Sequence, residues 1–170
     1  ALGQSGMFFS PSIDNHNNIW IADPERNQIR IFDDQGNTLR NLQGENSNLK
    51  EPIGIFCLPN GEYLIGDKSE SLLKHFDAQD NLIHEVGKTG LGVDEIYFMA
   101  WHPKHGIFGA DYWNNQIVHF NNKLQVQSIY HKPGRRAGQL GKVAGLSVCN
   151  DQLAVGNFDG GKVQIFDLSS

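Results

Sequence analysis

The chain has 170 residues, of which 39% are hydrophobic and 19% charged, with a formal net charge of −5. This length and apolar content fit one folded domain and exclude a disordered chain. The acidic balance argues against a nucleic-acid partner, and no apolar run reaches the roughly 18 residues that membrane insertion requires. Cys57 and Cys149 are too few for a disulfide scaffold, and we expect both to be small buried residues.

Four similar five-residue segments follow one another along the chain. They are Ile19–Asp23, Tyr63–Asp67, Ile107–Asp111 and Leu153–Asn157, with end positions 44, 44 and 46 residues apart. A second column, Phe32, Phe76, Phe120 and Phe166, follows nine residues later with the same steps. Two columns with one spacing indicate an internal repeat.

Each repeat has the pattern of four short strands separated by turns. In the second repeat we predict strands at 53–58, 63–66, 72–76 and 82–86, with a tight turn at Pro59–Glu62. A constant repeat length favours a propeller over a sandwich, which has no reason to repeat regularly. The fold class we predict is therefore all-β, a β-propeller built from four-stranded antiparallel blades.

Two columns within the repeat have structural explanations. Small residues precede the polar end of the second strand, which indicates close approach of neighbouring blades: Ala22, Gly66, Ala110 and Gly156. The polar column is Asp23, Asp67, Asp111 and Asn157. Short side chains of this kind usually bond to the backbone of the following loop, so we expect a structural role for them.

The repeats resemble those of the NHL family. The resemblance rests on motifs such as Asn18–Asp23 leading to Asn27–Asp33, on the matching Ala110–Phe120, and on the glycine-rich junction Val86–Phe98. It covers nearly the whole chain and implies the propeller fold. It does not select a function, since one fold hosts many activities.

The chain contains four NHL-like units, whereas members of such families usually close a ring of about six blades. We place the units at about 7–44, 51–87, 97–131 and 142–170, within a single NHL-type propeller domain or propeller fragment spanning 1–170. The fourth unit stops before a fourth strand. The chain is therefore part of a longer propeller, an unusually small ring of four units, or an open arc that a partner chain completes. An open arc on its own would expose edge strands and an apolar blade face, which favours a fragment or a homo-oligomer that completes the propeller.

The candidate binding residues lie in loops that a propeller would gather on one face. They are Arg26, Lys68, Tyr112, Trp113, Phe158, Asp159, His131, Arg135 and Arg136. Tyr112 and Trp113 stand in a loop otherwise made of Asp and Asn, which suits recognition of a peptide, sugar or base edge. The alternative is that one ring fills a gap between blades. Residues 131–136 form the one dense basic run, suited to phosphate or an acidic partner, or simply a solvated loop.

The sequence gives little support for catalysis. His102 and His105 share one turn and would need further ligands to hold a metal, so we predict no metal site and no catalytic residues. Pro59–Leu64 loosely resembles a turn of lactonase-like propellers, which hold a divalent cation in the channel. A hydrolase, lactonase-like or lyase-like enzyme with a channel cation such as calcium is therefore one alternative. Otherwise we expect no cofactor.

From these features we predict a non-enzymatic binding or scaffolding module. Its expected partner is a protein or peptide, engaged through one loop-bearing face. The alternatives are the enzyme just described and an RNA-binding NHL domain.

Overall fold

The computed structural model describes residues 9–43, 48–87 and 93–169. The predicted glycine-rich junction falls partly outside them, at 88–92. The chain divides into two compact units, residues 1–87 and 88–170. Each unit contains two antiparallel sheets, which we call blades 1 and 2 in the first unit and blades 3 and 4 in the second. The predicted all-β propeller fold class is confirmed.

Blade 1 consists of β1 (Phe9–Ile13), β2 (Ile19–Asp23), β3 (Gln28–Phe32) and β4 (Thr38–Leu42), with a short 3₁₀ turn at Pro24–Arg26. Blade 2 consists of β5 (Pro52–Cys57), β6 (Tyr63–Asp67), β7 (Leu72–Phe76) and β8 (Leu82–Val86). These bounds confirm the strands predicted for the second repeat to within a residue. In both sheets the strands pair in chain order.

Blade 3 consists of β9 (Ile96–His102), β10 (Gly106–Asp111), β11 (Gln116–Phe120) and β12 (Val126–His131). Blade 4 consists of β13 (Val143–Cys149), β14 (Gln152–Asn157) and β15 (Lys162–Asp167). Within the described residues blade 4 thus has three strands where the other blades have four. The 3₁₀ turn is the one helical segment described, so no described helix is long or apolar enough to cross a membrane.

The two sides of each blade differ in a regular way. We call the side bearing the phenylalanine column the leading face and the opposite side the trailing face. In the first unit, trailing-face residues Ile29 and Ile31 of blade 1 join leading-face residues Tyr63, Ile65 and Phe76 of blade 2 in one apolar core. Full burial of each such side chain stabilises the fold by about 1.5–3 kcal/mol.

The second unit repeats this arrangement. Trailing-face residues Phe108 and Ile117 of blade 3 pack with Leu153, Val155 and Phe166 on the leading face of blade 4. The small residues Ala22 and Ala110 are fully buried within these two cores. A larger side chain at either position would push neighbouring blades apart.

The polar column is structural, and in blades 2 and 4 its partner differs from the prediction. Asp67 accepts the backbone N–H groups of Lys50 and Glu51 at 2.8 and 3.0 Å. Asn157 likewise accepts the N–H of Gly141 at 3.0 Å. These donors precede the blade instead of following the strand, because the second strand ends beside the start of the antiparallel first strand. In blades 2 and 4 the column therefore fixes the entry of the chain into the blade. Asp111 of blade 3 accepts both the preceding Asp94 N–H at 2.9 Å and, as predicted, the following Asn114 N–H at 3.4 Å.

The residue after each column phenylalanine closes the next turn. Asp33 Oδ1 accepts the N–H groups of Gln35 and Asn37 at 3.0 and 2.7 Å, and Oδ2 accepts the Asn37 side-chain amide. Asp77 makes the same set of bonds in blade 2. In blade 3, Asn121 Oδ1 accepts the N–H groups of Lys123 and Gln125, and Asn121 Nδ2 donates to Gln125 Oε1. Such side-chain caps explain why short Asp and Asn residues recur there.

The two cysteines lie in different environments. Cys57 is partly buried in β5, and burial raises the pKa of its thiol to about 12. Cys149 is exposed, so the prediction that both are buried was wrong for this residue. Its strand ends at the turn into β14, where the side chain lies beyond the core.

Candidate functional site

One edge of the second unit carries the loop between β10 and β11, the loop between β14 and β15, and the segment that leads from β12 into β13. The Phe158 N–H donates to the Lys142 carbonyl at 2.7 Å, which joins the second loop to the end of that segment. In the first loop, Asp111 accepts the Asn114 and Gln116 side-chain amides at 2.9 Å each. Hydrogen bonds therefore fix the conformation of both loops.

The first loop presents two aromatic rings in fixed orientations. The Trp113 indole N–H donates to Glu95 Oε2 at 2.8 Å, and the Tyr97 hydroxyl donates to the same oxygen at 2.8 Å. The Tyr112 ring lies between them, with centroids 5.3 Å from Tyr97 and 5.1 Å from Trp113. Tyr112 is half-buried by this packing, whereas Trp113 remains 53% exposed. Trp113 is thus the ring of this loop that faces solvent, whereas Tyr112 packs against its neighbours.

Lys142 joins the two loops. Its Nζ lies 4.6 Å from the Trp113 ring centroid and 5.2 Å from that of Tyr112, a cation–π arrangement. Its carbonyl accepts the Phe158 N–H, and the Phe158 side chain is 71% exposed. We call Tyr112, Trp113, Lys142 and Phe158 the aromatic patch. Two exposed large rings beside one cation form the kind of surface that a partner desolvates with a gain in free energy.

The basic segment is anchored beside this patch. Lys162, which follows the Phe158 loop, donates from Nζ to the carbonyls of Arg135 and Arg136 at 2.9 and 2.5 Å. Gln164 bonds both the Gly138 N–H and the Gln139 carbonyl, at 2.6 and 2.9 Å. The Arg135 and Arg136 side chains are exposed. The segment is thus an ordered loop that presents two guanidinium groups.

The remaining predicted residues of the second unit lie around the same edge. His131 is exposed and pairs with Gln116, the first residue after the Tyr112 loop. Asp159 is half-buried against Gly141, where an added Cβ would come within 2.8 Å of the Asp159 Cβ. A side chain at position 141 would therefore displace the loop that carries Phe158.

Arg26 and Lys68 belong to the first unit and are described separately. Arg26 lies 3.3 Å from Asp23, and Lys68 lies 3.2 Å from Glu51. Each predicted cation is thus paired with a carboxylate of its own blade. The structure collects the other seven predicted residues along one edge of the second unit.

Sequence reasoning missed Lys142, Lys162 and Glu95, which organise this edge. Lys142 and Lys162 belong to no repeated column or recognisable motif, and Glu95 is one residue of the glycine-rich junction with nothing to mark it there. Their contacts with Trp113, Arg135 and Arg136 span 18 or more positions, so local pattern carries no signal for them. An isolated lysine in a glycine-rich segment looks like an ordinary solvated residue.

His102, His105 and Asp151 form a cluster whose ligand atoms all lie within 4.8 Å of one another. However, His102 Nδ1 accepts the N–H groups of Lys104 and His105, both at 3.1 Å. A neutral ring with Nδ1 as acceptor carries its proton on Nε2, which faces Asp151 Oδ1 at 3.4 Å. Nε2 is then a hydrogen-bond donor and has no lone pair with which to bind a metal ion. His102 therefore fits a turn cap better than a metal ligand.

Each unit also has cavities between its own blades. One of about 300 Å³ in the second unit is lined by Phe108, His119, Tyr130 and Phe166, with the His119 ring stacked on Phe108 at 4.7 Å. One of about 310 Å³ in the first unit includes Cys57, whose raised pKa keeps the thiol protonated near neutral pH and hence a poor nucleophile.

Comparison with solved structures places the chain among β-propeller proteins. A chain in the crystal structure of a mitotic checkpoint complex matches with a TM-score of 0.70 and 16% identity, over 100% of this chain and 50% of that one. A virginiamycin B lyase from Staphylococcus aureus matches with a TM-score of 0.64 and 12% identity, over 99% of this chain and 58% of the lyase. This chain thus spans between half and three fifths of their lengths, and identities this low establish the fold alone. No family model and no curated protein matches the sequence.

Proposed function

We propose that this chain is a propeller interaction module that binds a protein or peptide through the aromatic patch. The observation that carries the proposal is the pair of exposed rings, Trp113 and Phe158, both tied to Lys142: its ammonium lies over the Trp113 ring, and its carbonyl accepts the Phe158 N–H. Surface aromatics of this size usually lie flat on a monomer or contribute to a contact. A binding or scaffolding role also agrees with one neighbour being part of a protein complex.

The patch is preorganised, which lowers the entropic cost of binding. The Glu95 carboxylate fixes the Trp113 indole, the Tyr112 ring packs edge to face against it, and Tyr97 in turn packs on Tyr112. Tryptophan held in this way is the residue type most often found at the energetic centre of an interface. We therefore assign Trp113 as the principal anchor and Phe158 as the second.

The surrounding charge specifies the chemistry of the partner. Lys142, Arg135 and Arg136 lie along the same edge, with His131 beyond them. A segment with an apolar residue for the rings and carboxylates for the cations would complement this edge. We accordingly propose an acidic peptide segment with an aromatic or aliphatic anchor.

The NHL-like character of the repeats is also part of this proposal. It is supported by the regular columns of small, polar and phenylalanine residues, each of which has the same structural role in successive blades. An RNA-binding role for such a module is the second candidate, favoured only by the exposed Arg135 and Arg136. The net charge of −5 weighs more against RNA, whose binding depends mainly on phosphate contacts, than against a peptide held by an apolar anchor.

The test is selection of peptides from a displayed random library on the immobilised chain, followed by fluorescence anisotropy with the enriched peptides. We expect Trp113→Ala to weaken binding about tenfold or more, as loss of an interface anchor worth ~1.4 kcal/mol or more would do. Trp101→Ala is the matched control, because Trp101 is also partly exposed and hydrogen-bonded, to Asn122, but lies at the opposite end of blade 3.

Equal binding of the enriched peptides to the wild type and to Trp113→Ala would contradict the proposal. A labelled single-stranded RNA of mixed sequence serves as the second probe. RNA binding that falls steeply with salt and disappears in Arg135→Glu/Arg136→Glu, but not in Trp113→Ala, would replace the peptide proposal by the RNA one.

A further inference from the structure

The cleft between blades 1 and 2 is crossed by an ion pair. The Arg40 guanidinium donates to the two Asp80 carboxylate oxygens at 2.5 and 3.1 Å, and the Tyr63 hydroxyl donates to the same carboxylate at 2.9 Å. These three residues line both cavities of the cleft, which have volumes of about 230 and 310 Å³. The ion pair therefore lies between two separate cavities of the first unit.

The matching cleft between blades 3 and 4 contains different residues at these positions. The strand registers place Ser128 at the position of Arg40, and Leu153 at the position of Tyr63. Neither a serine hydroxyl nor a leucine side chain can form the ion pair. This cleft holds one cavity of about 300 Å³, which both Ser128 and Leu153 line.

Arg40 shows which kind of chemical group fits the cleft. Its guanidinium is planar, its Cζ lies 5.5 Å from the Trp20 ring centroid, and it donates N–H hydrogen bonds to a carboxylate. In the second unit Phe108 takes the position of Trp20 and lines the cavity. A planar group that donates N–H hydrogen bonds beside an aromatic ring is therefore the kind of group that this space fits.

Aromatic rings form two walls of the cavity in the second unit. The His119 ring stacks on Phe108, with centroids 4.7 Å apart and an angle of 10° between the planes. Tyr130 of blade 3 meets Phe166 of blade 4 edge to face, with centroids 5.5 Å apart. Flat walls of this kind favour an aromatic ring over a sugar or a flexible aliphatic chain.

The polar groups that line the cavity are mainly hydrogen-bond acceptors. His119 Nε2 lies 2.6 Å from the His105 carbonyl and so carries a proton, which leaves Nδ1 of the neutral ring as an acceptor. The exposed Asp167 carboxylate is a second acceptor, and the Tyr130 hydroxyl already donates to the Gly138 carbonyl. Among the described residues that line the cavity there is no lysine or arginine, so it suits a donor better than an anion.

We propose that this cavity binds a small planar aromatic molecule that carries an N–H donor. The ligand ring packs against the aromatic walls, and its N–H donates to His119 Nδ1. The volume of about 300 Å³ lies at the lower end of the range for small-molecule sites, so the ligand has one or two fused rings. The cavity uses no residue of the aromatic patch, and this binding site is therefore independent of the peptide-binding proposal.

Indole is the probe, and N-methylindole, which lacks the N–H, is the matched ligand. Each is titrated into the isotopically labelled chain and followed by two-dimensional NMR. We expect indole to shift the backbone amide signals of the residues that line the cavity on β11, β12 and β15. N-methylindole should bind about tenfold more weakly, because it leaves the acceptor on His119 without a donor.

Two variants of one residue test the position of the ligand. Ser128→Arg introduces the side chain that crosses the cleft of the first unit, so it should abolish the indole shifts. Ser128→Ala keeps the cavity open and should preserve them. Circular dichroism and thermal unfolding confirm that each variant is folded, and Ser128→Gln replaces the arginine variant if that one unfolds.

Trp113→Ala separates the cavity from the aromatic patch. It removes the exposed ring of the patch and should leave the indole shifts unchanged. Four results would overturn the proposal: no shift with millimolar indole, shifts that disappear in Trp113→Ala, equal affinity for N-methylindole, or binding that survives the substitution that fills the cavity.

Discussion

The buried lysine of blade 2 offers the sharpest test of how this fold tolerates charge. The Lys74 side chain is 2% exposed, and its Nζ lies 3.2 Å from Asp67 and 2.8 Å from Glu70, with the Asn48 carbonyl as a further acceptor. The equivalent positions of Asp67 and Lys74 in blade 4 are neutral, Asn157 and Gln164. The same pair of positions is thus charged in blade 2 and neutral in blade 4.

We expect Lys74→Gln to lower the free energy of unfolding by about 3–5 kcal/mol, because it leaves the Asp67 carboxylate buried without its cation. The N–H groups of Lys50 and Glu51 still bond that carboxylate. We therefore expect the loss of unfolding free energy to lie near the lower limit, about 3 kcal/mol. Adding Asp67→Asn removes the unpaired charge and reproduces the blade 4 pair. The double variant should therefore recover about 1–3 kcal/mol relative to the sum of the single changes.

Urea unfolding of the wild type, the two single variants and the double variant gives the coupling, provided that the slope with denaturant stays constant. Gln164→Ala in blade 4 controls for the loss of a long side chain at the same position of another blade. Additive effects within about 0.5 kcal/mol would refute the reasoning. In that case Lys74 would contribute through its methylene packing and not through its charge.

Three further predictions concern single groups. The Asn81 amide, first among several hydrogen bonds, lowers the pKa of Asp77 below its ordinary value, so this carboxylate stabilises the fold at neutral pH and the contribution is lost as the pH falls through and below about 4. Asp77→Asn should flatten the acid limb of a urea-midpoint versus pH profile, and an unchanged profile would count against the assignment. A thiol reagent at pH 8 should modify Cys149 quickly and Cys57 slowly, since burial raises the pKa of Cys57; mass spectrometry of labelled peptides that shows equal rates would contradict this. Stoichiometric zinc should leave the melting temperature unchanged, and a rise that His102→Ala removes would show that the turn-cap assignment of His102 is wrong.

Much of the fold could be predicted because the same pattern of strand and turn residues recurs in each repeat. The spacing of Phe32, Phe76 and Phe120 marks equivalent third strands, and each residue is nearly fully buried. One ambiguous strand would carry little weight, but concordant columns reinforce one another. The prediction erred where the partner is distant in sequence, as with the linker amides bound by Asp67 and Asn157.

The candidate site was predictable only in part, and the reason is physical. Trp113 stood out because a large aromatic ring in a loop of Asp and Asn has few structural explanations. Its fixed position depends on Glu95, which lies 18 residues earlier, and on Lys142, which lies beyond the whole of β11 and β12. Such contacts arise from the fold and leave no local pattern in the sequence.

The repeat constrains some positions of each blade far more closely than others. Ile29, Leu73 and Ile117 occupy equivalent positions on third strands, and each of them is buried. Trp113 belongs to a position that diverges instead, because Glu25, Ser69, Trp113 and Asp159 stand two residues after the polar column in successive blades. A repeated scaffold constrains positions that every blade must fill and leaves its loops free to diverge. Partner recognition should therefore depend on the loop residues in which the blades differ.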